Sequence, residues 1–255
     1  MTATPAHRVL VPVDLFGGQA VPERIIEAFA SVPVVLLGYH QVPDQTTPDQ
    51  ARTEFGDQAQ TELAKLEQVF EAAGCAVTTR LVFTGDRLET FERVAIEQDC
   101  DSILLLNPAP VLERMLVAIR SDVNVEHIAR LVTTVCAGTT IDVTLFHVAD
   151  EESRAEGQHY LETAASELVE NGLDSNRIET RVVSGRPTDA ILTAAADHDL
   201  LVIGESRPSI RRRIFSDRAR RIARQTNDPV LVIRGEYIEP TTENPEVELA
   251  TSQSP

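Results

Sequence analysis

The residues best placed to do chemistry lie between Leu200 and Gly235, in LLVIGESRPSIRRRIFSDRARRIARQTNDPVLVIRG. Two apolar strand-like runs, LLVIG and PVLVIR, enclose eight arginines: Arg207, Arg211, Arg212, Arg213, Arg218, Arg220, Arg221 and Arg224. The chain is otherwise acidic, with net charge -17 and a single lysine, Lys65. A guanidinium fork matches a phosphate or carboxylate. Arg207, Ser209 and Arg211, with Arg120 from an earlier strand, Gly204 at the end of LLVIG and Ser216 as the N-cap of the next helix, are therefore the candidate anion site. The alternative is a solvated helix face. Ala219, Ile222 and Ala223 form an apolar stripe, and Arg218, Arg220, Arg221 and Arg224 lie mostly off it. They would then pair with carboxylates at about 0–1 kcal/mol for each exposed pair.

Other clusters read as structural. Asp197-His198-Asp199 and the corresponding Asp99-Cys100-Asp101 fall at helix-to-strand junctions, and neighbouring strand residues point to opposite faces, which suits chelation poorly. His40 and His147 are expected to be partly buried structural histidines, although they end strands near a cleft. Gly17-Gly18 fits an ordinary strand-to-helix loop or a close approach to a ligand. No nucleophile elbow, Walker loop or zinc spacing is present. Cys75, Cys100 and Cys136 are too scattered for a disulfide framework and are expected to be reduced and buried.

The elements that position these residues form a diverged repeat. HRVLVPVD at His7–Asp14 aligns with ERMLVAIR at Glu113–Arg120. Helical segments Val21–Ala30 and Val125–Val135 follow, then strands Val34–His40 and Asp142–Val148. Long polar helices Gln50–Ala73 and Glu151–Asn171 come next, each stopped by a glycine (Gly74, Gly172) suited to a left-handed cap. Strands Ala76–Thr84 and Ile178–Ser184, a helix, and strands Ser102–Leu106 and Leu200–Ile203 complete the correspondence. This alternation predicts an α/β chain with a parallel, doubly wound sheet. Only the second repeat continues to a further helix and strand, Pro229–Arg234. The six residues Asn107–Leu112 are too few to supply them in the first. The expected organisation is 1–112 for the truncated repeat, 113–235 for the complete one, and 236–255 for an acidic, solvated tail.

Composition excludes some functions. The acidity argues against nucleic acid as a partner, and no apolar run approaches a membrane span, so a cytoplasmic protein without membrane insertion is expected. Excess Asp and Glu, with Arg almost replacing Lys, suggests a high-salt interior in which a Debye length of about 3 Å at 1 M screens carboxylate repulsion.

The second repeat resembles a universal stress protein domain. The resemblance rests on MLVAI, VVSGRPTDAILTAAADHDLLVIGE, the Arg-rich stretch and DPVLVIRG, in order. The first repeat is similar more weakly, through RVLVPVD and Gly85 to Leu106. The resemblance implies a Rossmann-like (adenine nucleotide alpha hydrolase-like) fold with strand order 3-2-1-4-5, and in many members ATP binding through a strand-one Asp and a Gly-rich phosphate loop. Here each repeat keeps one half. Repeat two has Gly204 but lacks the second loop glycine, and carries Arg120 in place of the Asp. Repeat one has Pro12, Val13 and Asp14, a vestigial nucleoside site, but no phosphate loop. The implied function is a non-catalytic regulatory or binding protein with a degraded ATP motif. The alternatives are an ATP- or AMP-binding protein that uses arginine in place of glycine, and a transporter-regulating or scaffold protein. No cofactor is required, and ATP or AMP is the candidate ligand. Because repeat one offers no fifth strand, Pro229, Val230, Leu231, Val232, Ile233 and Arg234 are expected to form an open edge. That edge would pair between copies in a homodimer; the alternative is packing of the two repeats through a different surface. A protein partner would dock on the exposed arginines.

Overall fold

The computed structural model describes residues 7–234 except 19, 44, 108–110, 123, 205–216 and 227. The acidic tail therefore lies outside the described residues. The first repeat gives β1 (Val9–Asp14), α1 (Glu23–Ala28), β2 (Val34–Gln41), α2 (Pro48–Ala72), β3 (Val77–Thr84), α3 (Arg87–Glu97) and β4 (Ser102–Leu105). The second gives β5 (Arg114–Ala118), α4 (Val125–Cys136), β6 (Asp142–Val148), α5 (Arg154–Glu170), β7 (Ile178–Val183), α6 (Pro187–Ala195), β8 (Leu200–Gly204), α7 (Asp217–Gln225) and β9 (Val230–Ile233). Gly74 and Gly172 adopt φ of 93° and 103°, the left-handed caps that stop α2 and α5. Thr47 and Gln50 close a reciprocal capping box at the start of α2.

All nine strands belong to one sheet, ordered β3-β2-β1-β4-β9-β8-β5-β6-β7. The second repeat realises the 3-2-1-4-5 order as β7-β6-β5-β8-β9. The first has 3-2-1-4, and its fifth place is taken by β9. Every pairing is parallel except β4 with β9, whose register runs Ser102↔Ile233 to Leu105↔Val230. On its other side β9 pairs parallel with β8, from Leu201↔Val230 to Gly204↔Ile233.

The open-edge expectation is thus corrected. Val230, Leu231, Val232 and Ile233 occupy the middle of the sheet, hydrogen-bonded on both flanks within one chain, and Pro229 and Arg234 bound that shared strand. A strand buried on both faces satisfies its backbone groups only with neighbours on both edges, and β4 supplies the missing one. β9 therefore presents no free edge for a second copy. The sheet ends instead at β3 and β7, VTTRLVFT and IETRVV, whose alternate positions are polar and solvent-facing, as edge strands require.

Helices α1, α2, α4 and α5 cover one face over a core that runs through both repeats, with Leu36, Leu104, Met115, Val202 and Leu231 in it. Helices α3, α6 and α7 cover the other, over Leu10, Ile103, Leu116, Val230 and Val232. No helix among the described residues is long and apolar enough to cross a membrane. The three cysteines are free and buried. Burial pushes the Cys136 thiol up to about 11. Its folded-state value lies above the unfolded one near 9. Its contribution to stability is therefore complete below about pH 9 and is lost as pH rises toward 11. At pH 8 the native thiols should react with a disulfide reagent only as fast as the protein opens, with full reaction in denaturant. Rapid stoichiometric labelling of native protein would contradict this.

Candidate functional site

A cleft lies at the carboxyl ends of β1 and β4. In the first repeat this is where strand order reverses and where open α/β sheets bind ligands. It measures about 240 Å³ and is lined by Pro12, Asp14, Gly17, Tyr39, Arg87, Phe91, Leu105, Asn107 and Arg224, among others. Asp14 Oδ1 accepts the backbone N–H groups of Phe16 (3.2 Å) and Gly17 (3.1 Å), which folds the loop after β1 back over the strand end. A Cβ at Gly17 would stand 2.7 Å from Asp14 Oδ2, so a larger residue there must displace the carboxylate. Tyr39 is almost fully buried at the end of β2. Burial first and the Asp14 carboxylate second push its hydroxyl pKa up, against a hydrogen bond from Arg87.

One wall comes from the other repeat. α7 runs from the carboxyl end of β8 toward the amino end of β9, and Val230 there sits opposite Leu105 because β9 is antiparallel to β4. The last turn of α7 therefore reaches repeat one's cleft and delivers Arg224 and Ala223 to it. Ala219 and Ile222 are fully buried and join a core that includes Phe91 of α3 and Ile191 of α6. Arg220 Nη2 donates to Glu92 Oε2 on α3 at 2.8 Å, with the carboxylate side chain 8% exposed. Asn107 Nδ2 donates to the Asp228 carbonyl at 2.8 Å and ties the end of β4 to the α7–β9 turn.

The sequence-predicted site residues separate into three groups. Pro12 and Asp14 line the cleft, whereas Val13 is 1% exposed and points into the opposite core, as strand alternation demands. Arg120 lies exposed just beyond β5, and Gly204 ends β8 at some remove from repeat one's cleft, across β9. A Cβ at Gly204 would meet Ile128 Cδ1 at 2.4 Å, so packing of α4 gives this glycine a role independent of any phosphate. Arg207, Ser209, Arg211 and Ser216 lie outside the described residues. Arg87, Tyr39, Asn107 and Arg224 as cleft residues escaped the sequence. Arg224 was legible only as a helix-face residue.

The histidines expected to be structural are so. His147 is buried with Nδ1 2.8 Å from the Ile119 carbonyl, and His198 bridges the Ala194 carbonyl and Thr144 Oγ1. His40 meets Phe16, Phe55 and Phe83 edge-to-face. Asp199 Oδ2 accepts the N–H groups of Glu113 and Arg114, both at 2.8 Å. Asp101, its counterpart, accepts Arg8 N–H at 3.1 Å through Oδ1, but its other oxygen faces two imidazoles, His7 Nδ1 at 2.6 Å and His127 Nε2 at 3.1 Å. Burial alone raises the Asp101 pKa; hydrogen bonds from His127 and His7 outweigh it and hold the carboxyl well below the usual carboxylate range.

The second repeat thus has the strand order 3-2-1-4-5, and the cleft lies at the switch point of the first. Residues 111–234 match the Universal stress protein family model. The universal stress protein match spans β5 to β9 and leaves β1–β4 outside it. The likeness of fold extends further. A universal stress protein from Archaeoglobus fulgidus DSM 4304 is 15% identical with a TM-score of 0.62, covering 89% of this chain and 98% of that one. A putative universal stress protein from Pseudomonas aeruginosa UCBPP-PA14 is 16% identical with a TM-score of 0.51, covering 90% and 94%. The cytoplasmic domain of a prokaryotic cation chloride cotransporter is 13% identical with a TM-score of 0.50, covering 89% and 94%. At these identities the likeness is one of fold. No curated protein matches the sequence.

Proposed function

We propose that this chain is a non-catalytic regulatory protein of the universal stress type that binds a small anionic ligand of the adenine mononucleotide class, AMP or ATP, in repeat one's cleft. The observation that carries this reading is the meeting of Asp14, Arg87 and Arg224 around one cleft at the switch point, with Arg224 contributed by the other repeat. Asp14 offers acceptor oxygens to ribose or base, and the two guanidinium groups offer forks to phosphate in place of a glycine loop. The volume falls below the roughly 300–1,000 Å³ of ordinary small-molecule sites, so the open cleft would enclose only part of a mononucleotide. The cleft unites Asp14 from the first repeat with an arginine from the Arg-rich segment of the second, two halves that neither repeat holds alone.

Nucleotide at millimolar concentration in high salt is expected to raise the melting temperature, as any native-state ligand does. Arg87→Ala and Arg224→Ala should each weaken binding by about 10- to 100-fold, the worth of a charge-assisted hydrogen bond of about 1.5–3 kcal/mol. Absence of any thermal shift would sink the reading. Loss of binding on Arg207→Ala with Arg87→Ala unaffected would move the ligand to repeat two. A second reading, a partner that regulates a transporter, draws on the exposed Arg221 and on the occurrence of this fold as a cotransporter's cytoplasmic domain. Salt-sensitive capture of an acidic partner, lost on Arg221→Ala, would favour it.

A further inference from the structure

Away from the cleft, at the seam between the repeats, three side chains converge: His7 before β1, Asp101 before β4, and His127 on α4 of the other repeat. One ligating atom of each lies within 4.8 Å of the other two. The side chains are 10%, 23% and 7% exposed, and the two imidazole rings lie 4.6 Å apart. His7 Nε2 is buried without a hydrogen-bond partner. Asp101 is fixed on its far side, where Oδ1 accepts Arg8 N–H and Ser102 Oγ–H, and its backbone carbonyl accepts Arg234 N–H at the end of β9. The carboxylate is therefore oriented by groups that do not belong to the cluster, as ligands of metal sites usually are.

We propose that His7, Asp101 and His127 bind a divalent transition metal of the zinc, cobalt or nickel class and that the ion links the two repeats. Two imidazole nitrogens and a carboxylate oxygen are the donor set such ions take, with a fourth position left for water. Metal–ligand bonds of about 2.0–2.2 Å in a tetrahedron place donors about 3.3–3.5 Å apart. The 3.1 Å contact of His127 is close to that spacing, and the 2.6 Å contact of His7 must widen. The ion takes the place of the hydrogens that lie between the two imidazoles and Asp101. Because two ligands come from the first repeat and one from the second, the ion would oppose separation of α4 from the β1–β4 half. The site rests on none of the residues used for nucleotide, so the two readings stand or fall separately.

The test uses the full chain without an affinity tag, in molar salt with excess Mg²⁺ to occupy exposed carboxylates. Titration with Zn²⁺ and with Co²⁺ should show one ion per chain, a rise in melting temperature and the visible bands of tetrahedral Co²⁺. His7→Gln and His127→Gln should each weaken binding by at least about tenfold, while His159→Gln, an exposed control, leaves it unchanged. Stoichiometric binding undiminished in either variant would overturn the proposal. So would absence of binding, which would leave a proton-sharing His–Asp–His bridge only. Should the variants fail to fold, the wild-type Co²⁺ spectrum decides: octahedral bands alone overturn it.

Discussion

Leu231→Pro is expected to unfold the entire chain and not merely one repeat. Leu231 is 1% exposed in the middle of β9, opposite Leu104 on one side and Val202 on the other. Proline in a central strand removes a ladder donor, and its ring displaces the neighbouring strand. Even Leu231→Ala should cost about 2–5 kcal/mol, the usual range for emptying a buried leucine site, against a total of about 5–15 kcal/mol for a native protein. Since β9 is the only strand between β4 and β8, its loss exposes an apolar edge on each half of the sheet. Calorimetry of the wild type should accordingly show one cooperative transition. Native hydrogen-exchange protection surviving in β1–β4 of the proline variant would show that the repeats fold independently, and the shared-strand account would fail.

The second large effect concerns the clamp that holds α7 on the first repeat. Arg220→Ala should destabilise the protein by about 1.5–3 kcal/mol, the worth of a charged hydrogen bond and less than that of breaking a fully buried pair, because it removes a 2.8 Å partner of a carboxylate that is 8% exposed. Under the proposed function it should also weaken nucleotide binding, since Arg224 on the next turn of the same helix lines the cleft. Glu92→Gln keeps the shape and removes the charge. Its combination with Arg220→Ala should cost less than the sum of the two single changes by at least about 0.5 kcal/mol. Strict additivity would mean that the pair is a surface contact of no consequence.

Both predictions turn on features that a sequence carries poorly. Strand and helix types are encoded locally. Continuous apolar runs such as SILL and LLVIG have only one use in an alternating α/β chain, and Gly74 and Gly172 mark helix ends because their backbone is left-handed there. The missing fifth strand of repeat one was equally legible, from the length of the connection after β4. What filled its place was not. Pairing across an edge depends on which strand lies nearest in space, and a β9 partner in another chain satisfies local rules as well as β4 does. The same ambiguity hid the destination of the arginines: helical periodicity separates Ala219 and Ile222 from Arg220 and Arg224, but says nothing of which repeat they face.

The sequence by itself determined the alternation of strands and helices, the nature of nearly every element, the shortness of the connection after β4 and the likeness to the universal stress proteins. Tertiary structure alone decided that one strand serves both halves. Because that strand is parallel to one neighbour and antiparallel to the other, the carboxyl ends of the parallel strands in the two repeats point toward opposite ends of the sheet. The helix before it then carries arginine from one repeat into the cleft of the other. His7, Asp101 and His127 meet for the same reason, since residues far apart along the chain come within bonding distance only where the sheet brings the two repeats together. Local propensity acts over a few residues, whereas the closure of a sheet is a property of the whole chain.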